Sequence, residues 1–207
     1  MYRALTWWML SRGLEVSDAA VVAAHTGQPV IEVGTDPGQP WVRVDGTDVS
    51  GPIRERPVSN AVSSVASVPQ VRSRLIAQQR DIIARACADV GGIVAEGRDI
   101  GTVVAPQARV KVFLTAAESA RAQRRAADLA DDPAATVELT QAEQARRDRL
   151  DAAQSGRAQD AVAIDSTALG LAEVIDAIVA LTSPAPPAPL AGNPVPRQSG
   201  ADPAWRS

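Results

Sequence analysis

Apolar residues recur at helical spacing from the start of the chain. Leu5, Trp8 and Met9, with Arg12 a turn further on, fall on one face, predicting a helix that breaks at Gly13. A second helix is expected to begin near Ser17. The pattern then becomes Gly- and Pro-rich. Within VRVDGTDVS, Val42 and Val44 alternate with polar residues and Asp45-Gly46 supplies a hairpin turn, predicting a small strand pair that ends at Val49. Between Arg54 and Val90 the period returns to that of a helix. Val58, Val62 and Val65 mark one face, Pro69 opens a new helix, and Val71, Leu75, Gln78 and Ile82 continue it. Two short apolar runs follow, Ile93–Ala95 and Val110–Leu114, as expected of buried parallel strands in an α/β layer. Residues 116–130 read as a cationic helix, Gln141–Leu150 as another, Ala161–Ile164 as a last strand, and Leu171–Leu181 as an amphipathic helix with Val174, Ile175 and Ile178 on its face.

From Ser183 onward the chain runs PAPPAPLAGNPVP and reaches Trp205. Proline withholds backbone donors and blocks helix and sheet ladders, so residues 183–207 are expected to be an extended or disordered tail. The 207 residues suffice for one globular domain. Hydrophobic types make up 45% of them and aromatic types only 3%, so the core must be aliphatic. A net charge of −3 argues against a domain that holds long nucleic acid through its overall field, though not against local arginines gripping a small anion. One cysteine, Cys87, and one histidine, His25, argue against a disulfide or a zinc cluster, and no metal ligands are assigned. His25 reads as a helix-end or surface residue. The opening apolar patch is too short to span a bilayer and is bracketed by Arg3 and Arg12, so a cytoplasmic protein with no membrane partner is expected.

The sharpest local feature is Glu96-Gly97-Arg98-Asp99-Ile100-Gly101-Thr102, directly after an apolar run. In open α/β sheets ligands sit where the chain leaves the carboxyl end of a strand. Gly97 and Gly101 permit close backbone approach, Arg98 offers a planar fork to phosphate oxygens, and Asp99 can accept hydrogen bonds from a base amine or a sugar hydroxyl. A plain turn in which Arg98 and Asp99 pair with their neighbours is the competing reading. Arg3, Arg72 and Arg147 could converge on the same place or lie on solvated faces. Arg121, Arg124 and Arg125 form either a solvent stripe or a phosphate clamp. Phosphoryl transfer needs positioning and positive charge more than a dedicated nucleophile, so an arginine-rich chain without a Ser/His/Asp set is compatible with it.

The segments MYRALT, DGTDVSGPIR, VSNAVSSVASVPQVRSRL, IVAEGRDIGTVV, PQARVKVFLTA, RRDRLD and DAVAIDST, in that order over residues 1 to about 182, resemble bacterial cytidylate kinases. The resemblance implies an α/β P-loop nucleoside monophosphate kinase fold: a parallel sheet flanked by helices, a monophosphate-binding region over about residues 1–90 and a lid over about 126–157. It implies transfer of the γ-phosphoryl group of ATP, with Mg²⁺, to CMP or dCMP by a monomer. By the same resemblance Arg3 contacts the substrate phosphate; Ser63, Arg72 and Asp99 recognise the cytosine; Arg98 and Arg147 act on the phosphate side. Asp151 contacts the sugar, while Arg121 and Arg125 border the ATP site.

Two departures from the family pattern stand out. No glycine-rich loop ending in Gly-Lys is present, since Lys111 is the sole lysine, and Met1 coincides with an internal family methionine. The chain is therefore expected to lack the family's first strand and P-loop. In DAAQSGRAQDAV, Gln154 stands where the family carries an arginine, with Arg157 as a shifted substitute. The alternatives to an active kinase are an inactive remnant with partial nucleotide binding and a binding protein that uses the Pro-rich tail. Preference among CMP, dCMP and UMP stays open at this stage.

Overall fold

The computed structural model describes residues 1–128, 146, 149 and 156–182. Helix α1 spans Tyr2–Ser11 and buries Ala4, Leu5, Trp8 and Met9 along one stripe. Gly13, at φ +66°, turns the chain out of it. Helix α2, Ala19–His25, is capped by Asp18, whose Oδ1 accepts from the amides of Ala20 at 2.8 Å and Val21 at 3.3 Å. His25 closes this helix, with Nδ1 at 2.8 Å from the carbonyl oxygen of Val21.

Three short antiparallel strands follow in the order β1 (Ile31–Val33), β2 (Val42–Val44), β3 (Thr47–Asp48). The expected turn joins β2 and β3, with Asp45 and Gly46 at φ +49° and +79°, the left-handed pair a two-residue hairpin demands. Asp45 also holds this layer to α1. Its Oδ1 accepts from the Val30 amide at 2.8 Å, and its Oδ2 accepts from Trp8 Nε1 at 2.8 Å and lies 3.6 Å from Arg12. Strand β1 is additional to the expected pair; three residues between Gly/Pro-rich stretches carry too little alternation to announce it.

Helices α3 (Arg56–Ala66) and α4 (Pro69–Val90) match the expected helical stretch, each with proline in its first turn, where the missing N–H is harmless. Gly91, at φ +82°, ends α4. The contiguous core comes from this first half of the chain: Leu5, Trp8 and Met9 of α1 meet Val22, Ile31, Val44, Val49, Ile53, Val65, Val68, Val71 and Leu75. Small aliphatic side chains let four helices and a sheet approach closely, as the scarcity of aromatics required.

Beyond α4 the expected strand at Ile93–Ala95 does not form; the segment has no ladder partner among the described residues, and Val94 is 91% exposed. An apolar run becomes a strand only beside a neighbour that takes up its backbone groups. A single π turn follows at Ile100–Val104. Strand β4 (Val112–Thr115) pairs in parallel with β5 (Val162–Asp165), Val112 opposite Val162. Helices α5 (Glu118–Asp128) and α6 (Leu171–Thr182) complete the described chain. Val174 of α6 is buried but Ile175 is exposed, which narrows the expected apolar face. The expected helix over Gln141–Leu150 lies outside the described residues apart from Arg146 and Arg149, both helical, and the tail from residue 183 lies wholly outside them. No helix among the described residues is long and apolar enough to cross a membrane.

The Asp45 carboxyl is held below its ordinary pKa of 3.8, first by the Val30 amide, which desolvation opposes, with smaller lowering contributions from Trp8 and then Arg12. A lowered carboxylate pKa means stability that is present above the ordinary value and is lost as pH falls through the lowered one. Asp45→Ala should cost about 1–2 kcal/mol at neutral pH, discounted because the side chain is 41% exposed. Urea midpoints at neutral and acid pH should show the variant losing less stability on acidification than the parent.

Candidate functional site

Arg72 and Asp99 are brought together from α4 and the 96–99 segment. Arg72 Nη2 donates to Asp99 Oδ2 in an ion pair whose side chains are 21% and 7% exposed. Asp99 also begins the π turn: its carbonyl oxygen accepts from the amides of Val103 at 2.8 Å and Val104 at 3.2 Å. Arg80, two turns along α4 from Arg72, donates to the carbonyls of Val103 at 2.7 Å and Val104 at 3.2 Å. The segment after the expected strand is therefore pinned to α4 at two points, one through its side chain and one through its backbone.

These elements line a cavity of about 240 Å³. Tyr2 and Arg3 enter from α1, Ser63 from α3, Arg72 and Gln79 from α4, and Glu96–Asp99 from the segment. Five residues singled out in the sequence thus meet: Arg3, Ser63, Arg72, Arg98 and Asp99. Arg3 is anchored, its Nη1 donating to the Ile53 carbonyl at 2.9 Å and to Ser59 Oγ at 2.8 Å, which fixes the guanidinium plane at the wall. Arg98 is exposed at the rim. Asp99 does not merely pair with its neighbours, since it reaches 27 residues back to Arg72.

Three buried polar atoms on the cavity-lining residues have no partner among the described residues: the Tyr2 hydroxyl, Ser63 Oγ and Gln79 Oε1. Buried polar groups are nearly always satisfied, so each of these calls for a partner. The Tyr2 hydroxyl pKa is pushed above its ordinary 10.0, first by burial and then by the charge of Asp99, with Arg72 opposing. Neither Tyr2 nor Gln79 was legible as a site residue in the sequence, because each sits inside a helical pattern that its neighbours explain.

The remaining candidates fall elsewhere. Arg147, Asp151 and Gln154 lie outside the described residues, as does the side chain of Arg125. Arg121 is half-buried on α5, does not line the cavity and is not a free cation. Arg124 is committed to the β5–α6 connection, donating to Ser166 Oγ at 3.1 Å, the Ser166 carbonyl at 2.6 Å and the Leu169 carbonyl at 3.1 Å. Arg157 folds back onto the Ala161 carbonyl, its Nη2 at 2.7 Å. Lys111, 8% exposed, pairs with Asp160 at 2.6 Å. Among the described residues no three carboxylate, histidine or cysteine side chains cluster to hold a metal ion.

Fold and cavity together describe an α/β protein whose cavity is lined by three arginines, an ion-paired aspartate and neutral hydrogen-bonding groups. The family model for cytidylate kinase matches residues 1–183. The cytidylate kinase of Streptomyces griseus is 47% identical over 188 residues, covering 87% of this chain and 77% of that protein. That of Streptomyces avermitilis is 45% identical over 184 residues, with the same coverage of 87% and 77%. The cytidylate kinase of Geobacillus kaustophilus is 42% identical over 188 residues, covering 88% of this chain and 82% of its own length. The chain belongs to the cytidylate kinase family, whose fold is that of the P-loop nucleoside monophosphate kinases.

Removing Arg72 alone strands a buried carboxylate. Arg72→Ala should lower unfolding free energy by about 3 kcal/mol, whereas Arg72→Ala combined with Asp99→Ala should be no less stable than the single variant. Urea unfolding of the four proteins of the cycle measures this.

Proposed function

We propose that this chain carries the nucleoside monophosphate end of an ATP-dependent phosphoryl transfer that converts CMP or dCMP to its diphosphate. The observation that carries the reading is the cavity that gathers Arg3, Ser63, Arg72, Arg98 and Asp99 from four separate stretches of a chain in the cytidylate kinase family. Arg72 fixes the Asp99 carboxylate, which can only accept hydrogen bonds. The 4-amino group of cytosine donates to such an acceptor; the 4-keto oxygen of uracil would face it lone pair to lone pair. Ser63 Oγ, buried and unpartnered, supplies a further donor or acceptor for the ring. Arg3, held rigidly, and Arg98, at the rim, supply positive charge where the phosphate is expected.

Transfer then depends on position and charge rather than on a protein nucleophile. Arg147 is assigned to the phosphate side, Asp151 to the sugar, and Arg121 with Arg125 to the border of the ATP site. Residues of about 126–157 are assigned to a lid over the monophosphate region of about 1–90 in a domain of residues 1–182, and 183–207 to a tail. Mg²⁺ is held by substrate phosphates and water more often than by protein cages, which suits a described site without a carboxylate cluster. A monomer acting in the cytoplasm is the accompanying reading. The non-enzymatic alternative rested on a tail that lies outside the described residues, and nothing in the cavity favours it.

Formation of CDP from CMP and ATP, followed with purified chain and Mg²⁺, tests the proposal. CMP and dCMP should be used with kcat/KM at least about tenfold above that for UMP, because an unpaired buried acceptor penalises the wrong base. Asp99→Asn should narrow that gap, since its amide can turn a donor toward the keto oxygen. Absence of CDP, or equal use of UMP and CMP, would overturn the reading.

A further inference from the structure

On helix α4, Gln78, Gln79 and Arg80 follow one another, and the flanking two are committed. Gln78 Nε2 donates to the Ile31 carbonyl at 2.6 Å, and Arg80 donates to the carbonyls of the π turn. Gln79 lies seven residues, nearly two turns, beyond Arg72 and so shares its face of the helix. Both side chains line the cavity with Asp99 and Ser63. Gln79 Oε1 is buried and accepts no hydrogen bond from the described residues. Leaving such an oxygen unpaired costs about 1–3 kcal/mol, so it marks a place where a donor is to arrive.

An exocyclic amine on a pyrimidine ring carries two N–H bonds. Asp99 is an acceptor fixed by Arg72 and can take one of them; a neutral amide oxygen on the same wall can take the other without adding a second negative charge beside Asp99. Resting on the proposal that the cavity holds CMP, we infer that Gln79 is a further specificity-determining residue, its Oε1 accepting the second hydrogen of the cytosine 4-amino group.

The test measures binding to the full chain by calorimetry, using CMP and its analogue that lacks only the 4-amino group. Gln79→Met keeps the length of the side chain and removes both polar groups. Gln79→Met should weaken CMP binding about tenfold and leave binding of the analogue within about twofold, as expected for one lost hydrogen bond. Equal weakening toward both nucleotides would assign Gln79 a structural role, and unchanged CMP binding in Gln79→Met would remove it from the site; either result overturns the inference. If the parent chain binds CMP and the variant behaves in one of those ways, the functional proposal stands and only this inference falls. A parent chain that binds no CMP overturns both.

Discussion

The ion pair between Arg72 and Asp99 is the constraint on which the site depends. One partner comes from a long helix that opens on Pro69; the other comes from an exposed segment with no ladder bonds of its own among the described residues. Without the pair, and without Arg80 holding the π turn two turns along the same helix, little would position Glu96–Asp99 over the cavity. The pair also decides what the cavity can read. A carboxylate fixed by a guanidinium presents acceptors in a set direction, and its charge contributes to keeping the neighbouring Tyr2 phenol protonated.

The helix that supplies Arg72 is itself held by the aliphatic core. Val71 and Leu75 are buried on either side of Arg72 in sequence, and they pack with α1 and with the small antiparallel sheet. Arg74, between them, donates to the carbonyls of Thr26 and Pro29, tying α4 to the end of α2. Over residues 71–80 this helix thus alternates core contacts with polar commitments, and Arg72 and Gln79 are its cavity-lining positions. The chain's single lysine, by contrast, is paired with Asp160 and passes beside Gly101.

Helices and the hairpin were legible in the sequence because their signals are local. Asp45-Gly46, Pro69 and the Val58–Val65 face each act within a few residues. The expected strand at Ile93–Ala95 failed for the complementary reason: strand formation depends on a neighbour, which apolarity alone does not supply. In the site, Arg98 and Asp99 could be picked out from their setting after an apolar run, Arg3 and Arg72 stood among several helical arginines that could converge there, and Ser63 needed the family resemblance. Tyr2 and Gln79 emerged only once burial could be compared with hydrogen bonding, since an unpaired atom leaves no mark on a sequence. Arg124 and Arg157 looked as available as the others, yet the fold spends them on backbone carbonyls.

The most direct measurement of the central claim is amide hydrogen exchange of the chain with and without saturating CMP. The account predicts slowed exchange concentrated in residues 58–66, 69–80 and 96–105, the walls of the cavity, with the antiparallel sheet at residues 31–48 unchanged. Protection that appears chiefly in that sheet, or in β4 and β5 with none at residues 96–105, would contradict it.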